Sequence, residues 1–112
     1  MSDGYSNWDD TIVALATAHG VSAIGVIRLS GSKALQVANE LFPSRDLQKE
    51  APNTLHVGFL KDTEKVLDEV VLSLFKAPRS YTGEDVIEIS CHGSPFIQEQ
   101  IINACIAHGA RL

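Results

Sequence analysis

A chain of 112 residues and 12.1 kDa is one domain, long enough to bury a single core without staples. Its 45% hydrophobic and 21% charged residues, with 8 Gly and 4 Pro, exclude collagen, coiled coil and bulk disorder, and no apolar run approaches the ~18 residues of a membrane span. Nine Lys and Arg against 14 Asp and Glu give a net charge of −5, with Lys33, Arg45, Lys49, Lys61, Lys65 and Lys76 scattered rather than clustered, so a direct grip on RNA or DNA by this segment alone is not expected.

Residues 1–10 are polar and acidic without periodicity and read as a flexible tail. They lack the basic start and apolar stretch of a secretory signal, which points to a cytoplasmic, soluble protein. Ile12, Val13 and Leu15 with flanking alanines predict a buried strand, residues 18–22 a turn, and Ala23–Ser30 a second strand. In that strand Ile24, Val26 and Arg28 share one face and Ala23, Ile27 and Leu29 the other. A helix is expected over Lys33–Phe42, capped by Ser30 or Ser32, striped by Leu35, Ala38, Leu41 and Phe42, and stopped by Pro43. Ser44–Asn53 reads as a polar connection.

Thr54–Leu60 alternates, with Leu55, Val57 and Phe59 on one face. Lys61–Lys65 is a charged hairpin loop, and Val66–Phe75 returns as a long apolar strand. A loop at 77–83 precedes the strand Asp85–His92, whose faces are Val86, Glu88, Ser90 and His92 against Ile87, Ile89 and Cys91. Ser94 and Pro95 are a strong helix start. Ile97, Ile101, Ala104, Cys105 and His108 are its expected inner stripe, Gly109 its end, and 110–112 the beginning of another strand. The order predicts an α+β domain over 11–112, a mixed, largely antiparallel sheet of about five strands with two main helices on one face.

Several chemistries are excluded. No zinc-type Cys/His spacing or H-E-x-x-H occurs. Cys91 and His92 are adjacent on a strand and point to opposite faces, so they cannot form a nucleophile pair. Cys91 and Cys105 read as free, buried thiols. Gly20–Gly25 imitates the opening of a P-loop, but Val26 and Ile27 stand where Lys and Ser/Thr must be. Glu84 and Asp85 read as a solvated turn, and Gly83, after Tyr81 and Thr82, as a tight bend.

Two residues break their local pattern. Arg28 lies in a strand of Ile and Leu, and Glu88 between Ile87 and Ile89. Lone charges in strands face solvent, pair with each other, or clamp a ligand. A carboxylate accepts a pair of N–H donors such as the 2-amino group and ring N–H of a pterin, and a guanidinium meets a carbonyl or carboxylate.

The blocks Asp10–Thr17, Gly25–Gly31, Ser80–Gly93 and His108–Leu112 resemble, in order and spacing, the N-terminal domain of the tRNA modification GTPase family MnmE (TrmE). The resemblance implies a domain similar to the folate-binding domain of glycine-cleavage aminomethyltransferases, followed in the whole protein by a helical domain and a G domain. It implies binding of 5-formyltetrahydrofolate or a related one-carbon tetrahydrofolate, with Arg28 and Glu88 as the folate contacts, and homodimerisation. For the whole protein it implies GTP, Mg2+ and K+ dependence. An FAD-dependent partner, MnmG (GidA), and tRNA as the substrate of the complex are implied as well, the reaction being carboxymethylaminomethyl modification of the wobble uridine. Two departures lie in loops: residues 18–22 lack the family's Pro- and Gly-rich turn, and Ser94 replaces a second glycine after His92. Two other readings stand beside this one: an assembly module pairing between chains through Val66–Phe75 as a strand near a sheet edge, and the folate-binding part of an aminomethyltransferase-like enzyme.

Overall fold

A computed structural model describes residues 11–17, 23–76 and 84–112. The predicted tail at 1–10, the turn at 18–22 and the loop at 77–83 lie outside the described residues. Five strands, β1 (Ile12–Leu15), β2 (Ile24–Ser30), β3 (Thr54–Asp62), β4 (Lys65–Phe75) and β5 (Val86–His92), form one sheet in the order β1-β2-β5-β4-β3. Every strand pair is antiparallel. Helix α1 (Ala34–Leu41) follows β2, and helix α2 (Pro95–Ala107) follows β5. The expected strand after Gly109 is present as a single parallel bridge, in which Val13 N–H donates to Arg111 O at 2.8 Å and Arg111 N–H to Thr11 O at 2.8 Å.

Alternation divides the sheet into two unlike faces. Ile27, Leu29, Val70, Leu72, Leu74, Ile87 and Ile89 point to the helices and are buried with Ala34, Val37, Leu41, Ile101 and Cys105 in one core. The other face, described below, carries no helix among the described residues. The buried stripe of α1 is Ala34, Val37, Ala38 and Leu41, with Leu35 at its flank rather than its centre. Phe42 follows, wholly buried.

The cap of α1 differs from expectation. Its N-cap position falls on Lys33, not on Ser30 or Ser32, and Thr11 Oγ1 accepts from Lys33 N–H at 2.8 Å. A hydroxyl 22 residues away thus anchors the residue that leads into the helix, because β1 lies beside the strand before it. The start of α2 is as predicted: Ser94 Oγ accepts from Ile97 N–H at 3.4 Å, Pro95 is in the first turn, and Gly109 leaves the helix at φ 119°. Here the stripe holds an unexpected member. Gln98 is 3% exposed, and a Cβ at Gly25 would collide with its Nε2. That nitrogen has no hydrogen-bond partner among the described residues.

The connection at 44–53 is not simply polar. Leu47–Lys49 form a 3₁₀ turn with Asp46 as its cap, and Leu47 is fully buried. Asn39 Oδ1 accepts from Leu47 N–H at 2.8 Å and ties the turn to α1. The β3–β4 hairpin is tighter than a five-residue loop: Asp62 pairs with Lys65 across Thr63 and Glu64, and Thr63 takes φ 53°.

His108 locks three elements together. It is the C-cap residue of α2; its Nδ1 lies 2.7 Å from Glu40 Oε1 on α1 and its Nε2 3.1 Å from Asp62 Oδ1 at the end of β3. Hydrogen bonds to Asp62 and then Glu40 raise the His108 pKa above 6.5, in keeping with a cation at a helix C-terminus. The bond to His108 lowers the Glu40 pKa below 4.5. The raised histidine stabilises fully below its unfolded value and loses that contribution as pH rises through its folded value. The lowered carboxylate stabilises fully above its unfolded value and loses that contribution as pH falls through its folded value. Both are complete between about pH 4.5 and 6.5. His108→Gln should therefore lower stability by up to about 1 kcal/mol in that window and by less in alkali. Urea titrations across pH, comparing the variant with the parent chain, measure the difference; a constant offset at all pH would contradict it.

Candidate functional site

The uncovered face of the sheet is ordered in rows by strand register. One row runs Ala14, Arg28, Glu88, Ser73, Leu55; the next Val26, Ser90, Val71, Val57. Beyond them, Ile24 is opposite His92, and Phe59 opposite Glu69. The face is apolar over much of its extent: Leu55 is 68% exposed, Val57 67% and Ile24 60%.

The alternation of Leu55, Val57 and Phe59 is real, but it faces outward, while His56, Gly58 and Leu60 face the helices. Packing gives the reason. A Cβ at Gly58 would stand 2.9 Å from Phe42 Cζ and 2.6 Å from Ser44 Oγ, so only a glycine lets the buried ring lie against β3. His56 is accommodated on that side by Thr54 Oγ1 at 2.9 Å from its Nε2.

Arg28 and Glu88, 60 residues apart in sequence, are direct cross-strand partners on β2 and β5. Arg28 donates from Nε at 3.0 Å and from Nη2 at 2.8 Å, both to Glu88 Oε2. Both expectations for lone strand charges, mutual pairing and exposure on one open face, thus meet in the same pair. The side chains are 44% and 23% exposed, so the pair is open to solvent and to a ligand. A carboxylate has about four lone-pair sites and a guanidinium five N–H donors. Two bonds on one oxygen leave the carboxylate capacity to accept from a third group.

Beside this pair the sheet opens. The β2–β5 ladder continues to Ile24 and His92, but the β4–β5 ladder stops at Val71 and Ser90. A concavity of about 420 Å3 lies where β4 and β5 part, with Val71 and Ser90 in its lining, Ile24 and Val57 at its sides and Glu69 and His92 at its end. Asp68 reaches across the gap. Its Oδ2 accepts from His92 N–H at 2.8 Å, and its Oδ1 lies 2.8 Å from His92 Nδ1. Sequence reading did not single out this pair, because Asp68 and His92 become neighbours only where the two strands part.

The thiols behave as predicted. Cys91 and Cys105 are free and buried, and burial pushes their pKa values up to about 11 and about 12. Cys91 faces the core while His92 is exposed, as strand alternation requires.

The family model described as "GTP-binding protein TrmE N-terminus" matches residues 11–112. The chain belongs to the TrmE N-terminal family. Among curated relatives of this TrmE-type chain, the tRNA modification GTPase MnmE of Flavobacterium johnsoniae is 54% identical over 106 residues, which cover 92% of this chain and 23% of the relative. The MnmE proteins of Cytophaga hutchinsonii and Desulfitobacterium hafniense are 49% and 50% identical, over 95% and 93% of this chain and 23% of each relative. The TrmE-type chain thus spans about a quarter of the length of the curated relatives it matches. No helix among its described residues is long and apolar enough to cross a membrane.

Proposed function

We propose that this chain is the folate-binding, dimerising N-terminal domain of a cytoplasmic tRNA-modifying GTPase. The observation that carries the ligand assignment is the meeting of Arg28 and Glu88 on the uncovered sheet face, next to a concavity with an apolar lining. In this reading the Glu88 carboxylate accepts from the 2-amino and ring N–H edge of a pterin, and Arg28 meets a carbonyl or carboxylate of 5-formyltetrahydrofolate or a related one-carbon folate. Apolar side chains at Val71, Ile24 and Val57 supply surface for the flat faces of the rings. When bound, the folate supplies or is linked to the one-carbon unit; Arg28 and Glu88 bind and orient it.

GTP, Mg2+ and K+ belong, in this reading, to a G domain elsewhere in the whole protein. An FAD-dependent MnmG (GidA) partner and the wobble uridine of tRNA complete the reaction, with the tRNA held by parts other than this acidic domain. The chain alone is not expected to be catalytic.

Homodimerisation draws on the same uncovered face. β4 cannot be the pairing strand envisaged from sequence, since it lies between β5 and β3. β3 is one of the two outermost strands, and its Leu55, Val57 and Phe59 are exposed; an exposed apolar edge invites a second chain. Calorimetric titration of the chain with 5-formyltetrahydrofolate tests the ligand, and light scattering tests the dimer. A saturable heat and a mass of two chains are expected. No heat at any ligand concentration would remove the first assignment, and a monomer at high protein concentration the second.

A further inference from the structure

Asp68 and His92 belong to none of the residues assigned above; His92 lines the end of the concavity near the Arg28–Glu88 pair, and Asp68 holds its ring. Asp68 Oδ1 and Oδ2 lie 2.8 and 3.0 Å from His92 Nδ1, and the Asp68 side chain is only 9% exposed. An ionised carboxylate only accepts, so Nδ1 carries the hydrogen. In the neutral imidazole this sets the tautomer: Nε2 holds a lone pair, and the ring is held in place from behind. The His92 side chain is 68% exposed. The backbone N–H of His92 is bonded to the same aspartate, which fixes the end of the strand as well as the ring.

His92 shares its sheet face with Glu88 and lies four residues along β5 from it, a span of about 13 Å along the strand. Ser90, between them, lies in the concavity lining. At the His92 end the concavity also carries the Glu69 carboxylate. The polar groups along this line are therefore two carboxylates, Glu88 and Glu69, and an imidazole that in its neutral, Nδ1–H tautomer accepts at Nε2. A ligand that suits them is rich in N–H donors. A reduced pterin with its bridging amine has such donors at both ends, one set on the amino-pyrimidine edge and another on the saturated ring and arm.

We propose that His92 Nε2 is a further ligand contact, accepting a hydrogen bond from an N–H on the saturated ring or bridging amine of a tetrahydrofolate whose pyrimidine edge is held at Glu88. Asp68 is its positioning residue. This rests on the folate reading given above.

The test combines binding with a spectroscopic readout on the 112-residue chain. Nitrogen-15 NMR of the imidazoles, at a pH above the ordinary histidine value, should show His92 with Nδ1 protonated and Nε2 unprotonated. Added 5-formyltetrahydrofolate should move the Nε2 resonance in the direction of an accepted hydrogen bond. Asp68→Ala should yield a mixture of tautomers without ligand. His92→Ala, at an exposed site, should weaken 5-formyltetrahydrofolate binding about three- to tenfold. Unchanged affinity in His92→Ala, together with weakened binding in Glu88→Ala, would overturn this contact and leave the folate site at Glu88. A still Nε2 resonance at saturating ligand would overturn it as well. No binding by the parent chain would overturn both readings together.

Discussion

Glu88→Ala should weaken binding of 5-formyltetrahydrofolate about ten- to hundredfold while changing the stability of the fold by less than about 1 kcal/mol. The two readouts separate because of where the carboxylate lies. Its partner Arg28 is 44% exposed, so water solvates the guanidinium once the carboxylate is gone, and an exposed ion pair stabilises little. A ligand N–H edge docked against Glu88 has left water and has no such substitute; a hydrogen bond to a charged group is worth about 1.5–3 kcal/mol. Arg28→Ala should give a similar loss of affinity, since it removes the guanidinium that meets the ligand's carbonyl or carboxylate and also the two N–H groups on Oε2. Calorimetry on both variants and the parent chain, with urea melts as the control for folding, measures the effect. Equal heats for all three proteins would show that the pair is a surface ion pair without a ligand.

Phe42→Ala should cost the fold about 3–5 kcal/mol. Phe42 is fully buried, and its ring fills the space that Gly58 leaves by lacking a Cβ. Neither the glycine backbone nor the 3₁₀ turn held by Asn39 can close over the void, because each is tied by its own hydrogen bonds. Against a typical total of about 5–15 kcal/mol, the loss is large enough to populate unfolded chains under mild conditions. The urea midpoint should fall steeply with an unchanged slope. A shift under 1 kcal/mol would mean that the β3–α1 contact is far looser than the Phe42–Gly58 approach indicates.

Much of the architecture was legible because it is local. The punctuation of the chain is carried by residues whose backbone preferences act within a turn: Pro43 after α1, Ser94 and Pro95 before α2, Gly109 after it. Alternation along β2 and β5 assigned Ile27, Leu29, Ile87 and Ile89 to one face and Arg28 and Glu88 to the other, as observed. The misjudged features are those supplied from a distance. Thr11 bonds the Lys33 N–H at the entry to α1, Leu47 is drawn into the core from a stretch that reads as polar, and Gln98 is buried under Gly25.

The chain's own pattern of residues therefore settles which side chains travel together and where each helix starts and stops, since periodicity and capping depend on neighbours a few positions away. Which face the helices cover, which strands are outermost, and whether Arg28 touches Glu88 were settled by strand order and register alone. A two-residue period is the same for both faces of a strand. Only the fit of Phe42 against Gly58 and the pairing of β2 with β5 distinguish the covered side from the open one, where Arg28, Glu88 and His92 share a face.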